Sequence, residues 1–273
     1  MVANATTHEL ALPNTKPGCP KKCGELDVPY PFGTKDGCFL SEEFFITCNN
    51  THNNHPTPFW GNSNVTVTNI TMEGQLQIQS FVLKNCYNET IGYTSAHLYV
   101  GDKATISATQ NKFTIIGCDT YGYIRGKIGD KKYIAGCIPW CERLGDVTNG
   151  SCSGFGCCQI DIPNGLKEIT IEANSFNEPR NVSQFNPCSY AFVVENSQFH
   201  FHSSNLSSIK DKVPTAVDWA ITGQGKCEEA RKNPSYACKE NALCYEPAAN
   251  NSAGGYLCKC KEGYEGNPYL IPL

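Results

Sequence analysis

Nowhere in these 273 residues do apolar side chains run on for the roughly 20 positions that a membrane-crossing helix needs, so the chain is expected neither to span nor to anchor by itself. Its opening, MVANATTHELALPNTKPG, has no basic stretch followed by an apolar one, and no secretory signal is visible. An overall basic excess is missing too. A net charge of −4 and a pI near 5.9 argue against a nucleic-acid binder, whose footprint is a strongly basic domain. Also absent are a glycine-rich phosphate loop and an H-R-D-type catalytic loop, which excludes phosphoryl transfer by this chain. No amphipathic helix longer than about two turns can be traced.

What the chain has in abundance is cysteine. Seventeen of them are spread through the sequence instead of gathered at one place, which means disulfides in an oxidising compartment or metal ligands in a reducing one. The asparagines separate the two. Acceptor triplets Asn-x-Ser/Thr begin at Asn4, Asn49, Asn64, Asn69, Asn88, Asn149, Asn181, Asn205 and Asn250, none with proline in the middle. A glycosylated secreted or cell-surface protein explains both patterns, so the expected location is extracellular.

From Cys19 onward the sequence breaks into short alternating runs: VTVTNI at 65–70, LQIQSFVL at 76–83, FTIIG at 113–117, KEITIE at 167–172, YAFVVE at 190–195 and FHF at 199–201. Alternation of β-branched and aromatic residues between Gly, Pro and Asn clusters reads as half-buried strands. The fold class is therefore all-β and disulfide-rich. Cys19 to Cys118 and Cys137 to Cys188 each hold an even set of cysteines, and Cys227 to Cys260 an odd one; pairing inside or between the first two sets stays open. IKDKVPTAVDWAITGQGK, before Cys227, has proline, glycines and no cysteine, and is expected to be a boundary.

Five ordered motifs resemble the extracellular region of plant wall-associated receptor kinases. CPKKCGELDVPYPFG at 19–33 with Cys38 and FFITCN at 44–49 is similar to the start of that family's galacturonan-binding module, and FTIIGCDTYGYIRG at 113–126 to its end. GSCSGFGCCQIDIPNGL at 150–166 and NPCSYAFVVE at 186–195 resemble the cysteine-rich module that follows. CKCKEGYEGNPYL at 258–270 is similar to the first EGF-like repeat. Residues 1–18, with Pro13, Pro17, a sequon and no periodicity, read as a flexible leader; the resemblance implies a galacturonan-binding domain at 19–126, a second cysteine-rich β domain and linker at 127–222, and an EGF-like module at 223–273 lacking its last cysteine. It also implies a transmembrane helix and a serine/threonine kinase past Leu273, and acidic pectin (homogalacturonan and oligogalacturonides, directly or bridged by calcium) as partner. The EGF-like order implies pairing of Cys227 with Cys244 and of Cys238 with Cys258, leaving Cys260 unpaired.

A polymer of carboxylates calls for several cations in a row, with Arg forking onto a carboxylate and Lys acting as a movable point charge. The candidates are Lys16, Lys21 and Lys22; Lys84; Arg125, Lys127, Lys131 and Lys132; and Arg143, with YIRGKIGDKKY the densest. Solubilising charge on a hairpin tip is the competing explanation. Flat aromatic surfaces for sugars come next, in PYPF at 29–32, PFW at 58–60, TYGY at 120–123 and PW at 139–140, with Trp60 and Tyr121 the first to test for exposure. The HNNH and HFH motifs and the Cys-x₃-Cys pairs could be drawn as zinc ligands, but thiolates in an oxidising setting would be bridged, so no metal and no cofactor are expected. GQGKC before the EGF-like repeat departs from the calcium-binding pattern, and no calcium site is expected within it. A binding module, not an enzyme, is the reading, with a protein or peptide partner through the EGF-like part as the rival.

Overall fold

The computed structural model describes residues 13–50, 55–87, 95–176, 182–247 and 254–271. The chain opens with β1 (Lys22–Cys23), β2 (Leu26–Asp27), β3 (Ile46–Asn49), β4 (Thr57–Trp60), β5 (Thr66–Ile70) and β6 (Gln75–Phe81). Next come β7 (Leu83–Cys86), β8 (Ser95–Tyr99), β9 (Ala104–Ile106), β10 (Asn111–Ile116), β11 (Thr120–Ile128) and β12 (Lys131–Cys137). The last six are β13 (Cys157–Asp161), β14 (Glu168–Ser175), β15 (Cys188–Glu195), β16 (Lys212–Trp219), β17 (Ala242–Tyr245) and β18 (Leu257–Cys260). Among the described residues the single α-helical segment is Cys227–Ala230. The fold is all-β and held by eight disulfides.

Three larger sheets carry the architecture, in strand orders β3-β4-β5-β6-β16-β9, β13-β10-β15-β7 and β12-β11-β14-β8. β15 shows why one short sequence can hold two layers. Tyr190, Phe192 and Val194 enter one core cluster while Ala191 and Val193 enter the other, so CSYAFVVE is apolar at both parities because both faces are covered. The disulfide Cys86–Cys188 ties this strand to β7, closing 102 residues of sequence.

The stretch IKDKVPTAVDWAITGQGK, expected to be a boundary, contains a strand in its first part. Lys212–Trp219 is a strand paired with β6 from Lys212 to Asp218 and with β9 from Val217 to Trp219, and its second half is buried. Pro214 is tolerated in this strand because it lies where only β6 pairs, so its missing N–H leaves the β9 ladder intact. The expected strand at FHF is also absent; Phe199–Phe201 is irregular chain between two 3-10 turns, with Phe201 buried and both His200 and His202 exposed.

Strand pairing crosses position 126, since β11 runs over it and β16 joins a sheet built largely from residues before 81, whereas β17 and β18, after 222, pair only with each other. The start and end of the described chain are likewise packed together. Thr15 is buried, the Lys16 ammonium lies 4.7 Å from the Tyr30 ring centre, and Tyr256, Leu257, Cys258 and Tyr269 belong to the same core as Phe32 and Trp219. Residues 13–18 are therefore seated, not loose.

Candidate functional site

The strongest candidate cations lie on the β11–β12 hairpin, whose turn is Gly129–Asp130. Strand alternation decides which of them share a face. Ile124, Ile169 and Ile171 point into the core, so the opposite parity (Tyr121, Tyr123, Arg125 and Lys127 on β11) faces outward. The register sets Lys132 directly opposite Lys127 and Ile134 opposite Arg125. Lys131, opposite Ile128, has the other parity and leaves the row.

Arg125 is already engaged. Its guanidinium lies 3.4 Å from the Glu172 carboxylate, donates to the Tyr123 hydroxyl at 2.9 Å and sits 4.6 Å from that ring's centre. Tyr123 in turn donates to Glu172, and this hydrogen bond, more than burial, holds the phenol above its ordinary pKa. Lys127 and Lys132 have no acidic partner among the described residues. Two like charges side by side across a ladder destabilise it slightly, and an anion between them would relieve the repulsion.

Further along the same face the surface turns aromatic and apolar. Tyr99, Ile134, Ile138, Trp140 and Phe176 are between 44% and 65% exposed. The half-buried Tyr121 packs its ring 4.7 Å from Phe176, and Trp140 lies 6.3 Å from Phe176. Trp140 is fixed through its backbone: its N–H donates to Gly154, and the next residue is bridged to Cys118. The parity of β12 was the available signal for Ile134, Ile138 and Trp140, because Cys137, bonded to Cys158, marks the inward side.

The remaining candidates lie elsewhere. Lys22 lies on β1 and faces Asp27 at 3.5 Å, with Lys21 just before it; Arg143 pairs with Asp146 at 3.6 Å; Lys84 is on β7. Trp60 is half-buried at the end of β4, its indole N–H donated to the Glu43 carbonyl at 3.0 Å. Of the sequons, Asn64, Asn69 and Asn149 are exposed, Asn49 and Asn205 are half-buried, and Asn4, Asn88, Asn181 and Asn250 lie outside the described residues. None of the five described ones is on the β12-β11-β14-β8 sheet. HNNH also falls largely outside the described residues, and among those described no group of three or more metal-ligating side chains gathers. Cys227 is bonded to Cys244 and Cys238 to Cys258, while Cys260 is a free thiol.

These features define a cysteine-stapled β body with a small two-disulfide C-terminal hairpin unit packed against it and one broad face of mixed cationic and aromatic character. Residues 19–80 match the family model described as wall-associated receptor kinase galacturonan-binding. Over 92% of its length the chain is 36% identical to wall-associated receptor kinase 2 of Arabidopsis thaliana, and it is 34% and 32% identical to receptors 3 and 1 of that plant. It spans about a third of those relatives' length, 33–34%. No solved structure matches it. The chain is an ectodomain of the wall-associated receptor kinase type.

Proposed function

We propose that the chain is the extracellular, pectin-binding part of such a receptor, and that acidic pectin lies along the outer face of the β11–β12 hairpin. The matched segment 19–80 contains three lysines (Lys21, Lys22, Lys35) against six carboxylates, so its own charge repels a polyanion. The contact with free galacturonate therefore falls to the hairpin. The observation that carries the reading is the cross-strand pair Lys127 and Lys132, two ammonium groups without acidic partners on a sheet free of described sequons. Tyr121, Phe176 and Trp140 extend that face with rings suited to sugar faces.

One exposed ion pair is worth only about 0.2–1 kcal/mol, so useful affinity must come from contacts repeated along the polymer. Retention on pectate beads at two salt concentrations, with competing oligogalacturonides, tests the assignment. Lys127→Gln with Lys132→Gln is expected to reduce retention and flatten its salt dependence, whereas Lys84→Gln changes it little. Equal retention of the double variant and the parent at low salt would exclude the hairpin.

A further inference from the structure

A cavity of about 250 Å³ opens between the 3-10 turn Glu42–Phe44, the loop from Trp60 to Val65 and the turn joining β8 to β9. Its size is near the lower end for small ligand sites. The floor is a cluster of buried rings: Phe32 meets Phe44 edge-on at 5.1 Å, and Trp219 meets Phe32 and Phe44 at 5.2 and 5.6 Å. Trp60 makes a wall. Both indole N–H groups are already used, Trp60 toward the Glu43 carbonyl at 3.0 Å and Trp219 toward the Gln75 carbonyl at 3.2 Å. The rings thus offer a ligand hydrocarbon surface and no free donor.

The mouth has the opposite character. Glu42, Glu43 and Asp102 line it against one ammonium, Lys103, which lies 4.0 Å from Glu43. The Ser41 hydroxyl donates to Glu43 and holds that carboxyl below its usual range, so it stays ionised in mildly acidic surroundings. Tyr99, at the same mouth, hydrogen-bonds Asp102. A galacturonate would meet like charge here, and a neutral sugar would find few partners for its hydroxyls on the aromatic floor.

We propose that this cavity is a second binding site, for a cationic amphipathic peptide segment. An aliphatic or aromatic side chain seats against Phe44, Trp60 and Trp219, and a neighbouring lysine or arginine lies at the carboxylates of Glu42, Glu43 and Asp102. Charge complementarity selects this occupant, and apolar burial supplies most of its affinity. The site is chemically opposite to the hairpin face and independent of the pectin assignment.

Two of the three tryptophans line the cavity, so intrinsic fluorescence reports its occupancy. The probes are the capped hexapeptide of alternating lysine and leucine, the same peptide with glutamate for lysine, and the same with serine for leucine. Saturable binding is expected for the first alone. The combined Glu42→Gln, Glu43→Gln, Asp102→Asn variant is expected to lose about tenfold in affinity with an unchanged melting curve; if its melt shifts, Asp102→Asn alone should still weaken binding measurably. Equal binding of the basic and acidic peptides, persistence with the serine peptide, or unchanged affinity in the folded variants would overturn the site. Pectate retention separates the two readings, since it should survive the acidic-rim substitutions and fall only with those at Lys127 and Lys132.

Discussion

Asn267 donates its side-chain amide to the main-chain carbonyl of Tyr30 at 2.5 Å, joining positions 237 residues apart. The same amide reaches the Asn14 carbonyl at 3.2 Å, and the side-chain oxygen accepts the Tyr269 N–H at 3.0 Å. One buried side chain thus satisfies groups from the first and last disulfide-bonded segments, and the C-terminal segment is fastened to the rest of the cysteine-rich body. Asn267→Ala leaves the buried Tyr30 carbonyl and the buried Tyr269 N–H without this partner, so a loss of about 1–3 kcal/mol is expected in denaturant unfolding. A variant as stable as the parent would mean that the C-terminal segment contributes nothing through this contact.

Tyr269 tests the same junction from its other side. Burial raises its phenol pKa, and its oxygen accepts the Cys258 N–H at 3.0 Å. Tyr269→Phe keeps the ring but strands that buried N–H. The expected cost is about 1–3 kcal/mol, measured by chemical denaturation.

Glu172 holds Arg125 away from ligands. Replacing it with Gln removes one negative charge from the outer face and releases the guanidinium, so retention on pectate is expected to rise by up to a few-fold at low salt, since an exposed pair of this kind is worth about 0.2–1 kcal/mol. Retention equal to or below that of the parent would show that Arg125 does not take part.

Asp218 sets a pH dependence. Burial raises its carboxyl from the ordinary 3.8 to about 6, against the opposing hydrogen bonds from Ser107 and Gln75. A carboxyl whose pKa is higher in the folded state favours folding while protonated. Its stability contribution is therefore full below about pH 4 and is lost as the pH rises through 6. A change of about 1–3 kcal/mol across that window is expected. Melting curves of Asp218→Asn against the parent from pH 4 to 7 should show the variant lacking this slope.

Cys260 supplies a chemical check on the pairing. Its sulfur is 3.4 Å from the Gly266 carbonyl and bonded to no other cysteine. Mass analysis after maleimide treatment without reductant is expected to find one label per chain, on the peptide containing Cys260. An unlabelled monomer would contradict the arrangement.

Local pattern made much of this molecule legible. The alternation in LQIQSF and KEITIE gave β6 and β14, because one buried face imposes a period of two on the sequence. Alternating runs gave the all-β class, cysteine and sequon abundance gave its disulfide stapling, and YIRGKIGDKKY marked the hairpin that carries the outward cations. Tertiary structure decided what lies at long range. A proline and flanking glycines made β16 look like a linker, since whether a strand meets one neighbour or two is set by distant partners. Counting lysines could not show that Lys131 points away while Arg125 is held by Glu172, because register and cross-strand contacts arise only on folding. The acid-rimmed cavity is the clearest case: Phe32, Phe44, Trp60, Asp102 and Trp219 are scattered along the chain, and only the packed sheets and turns bring them to one place.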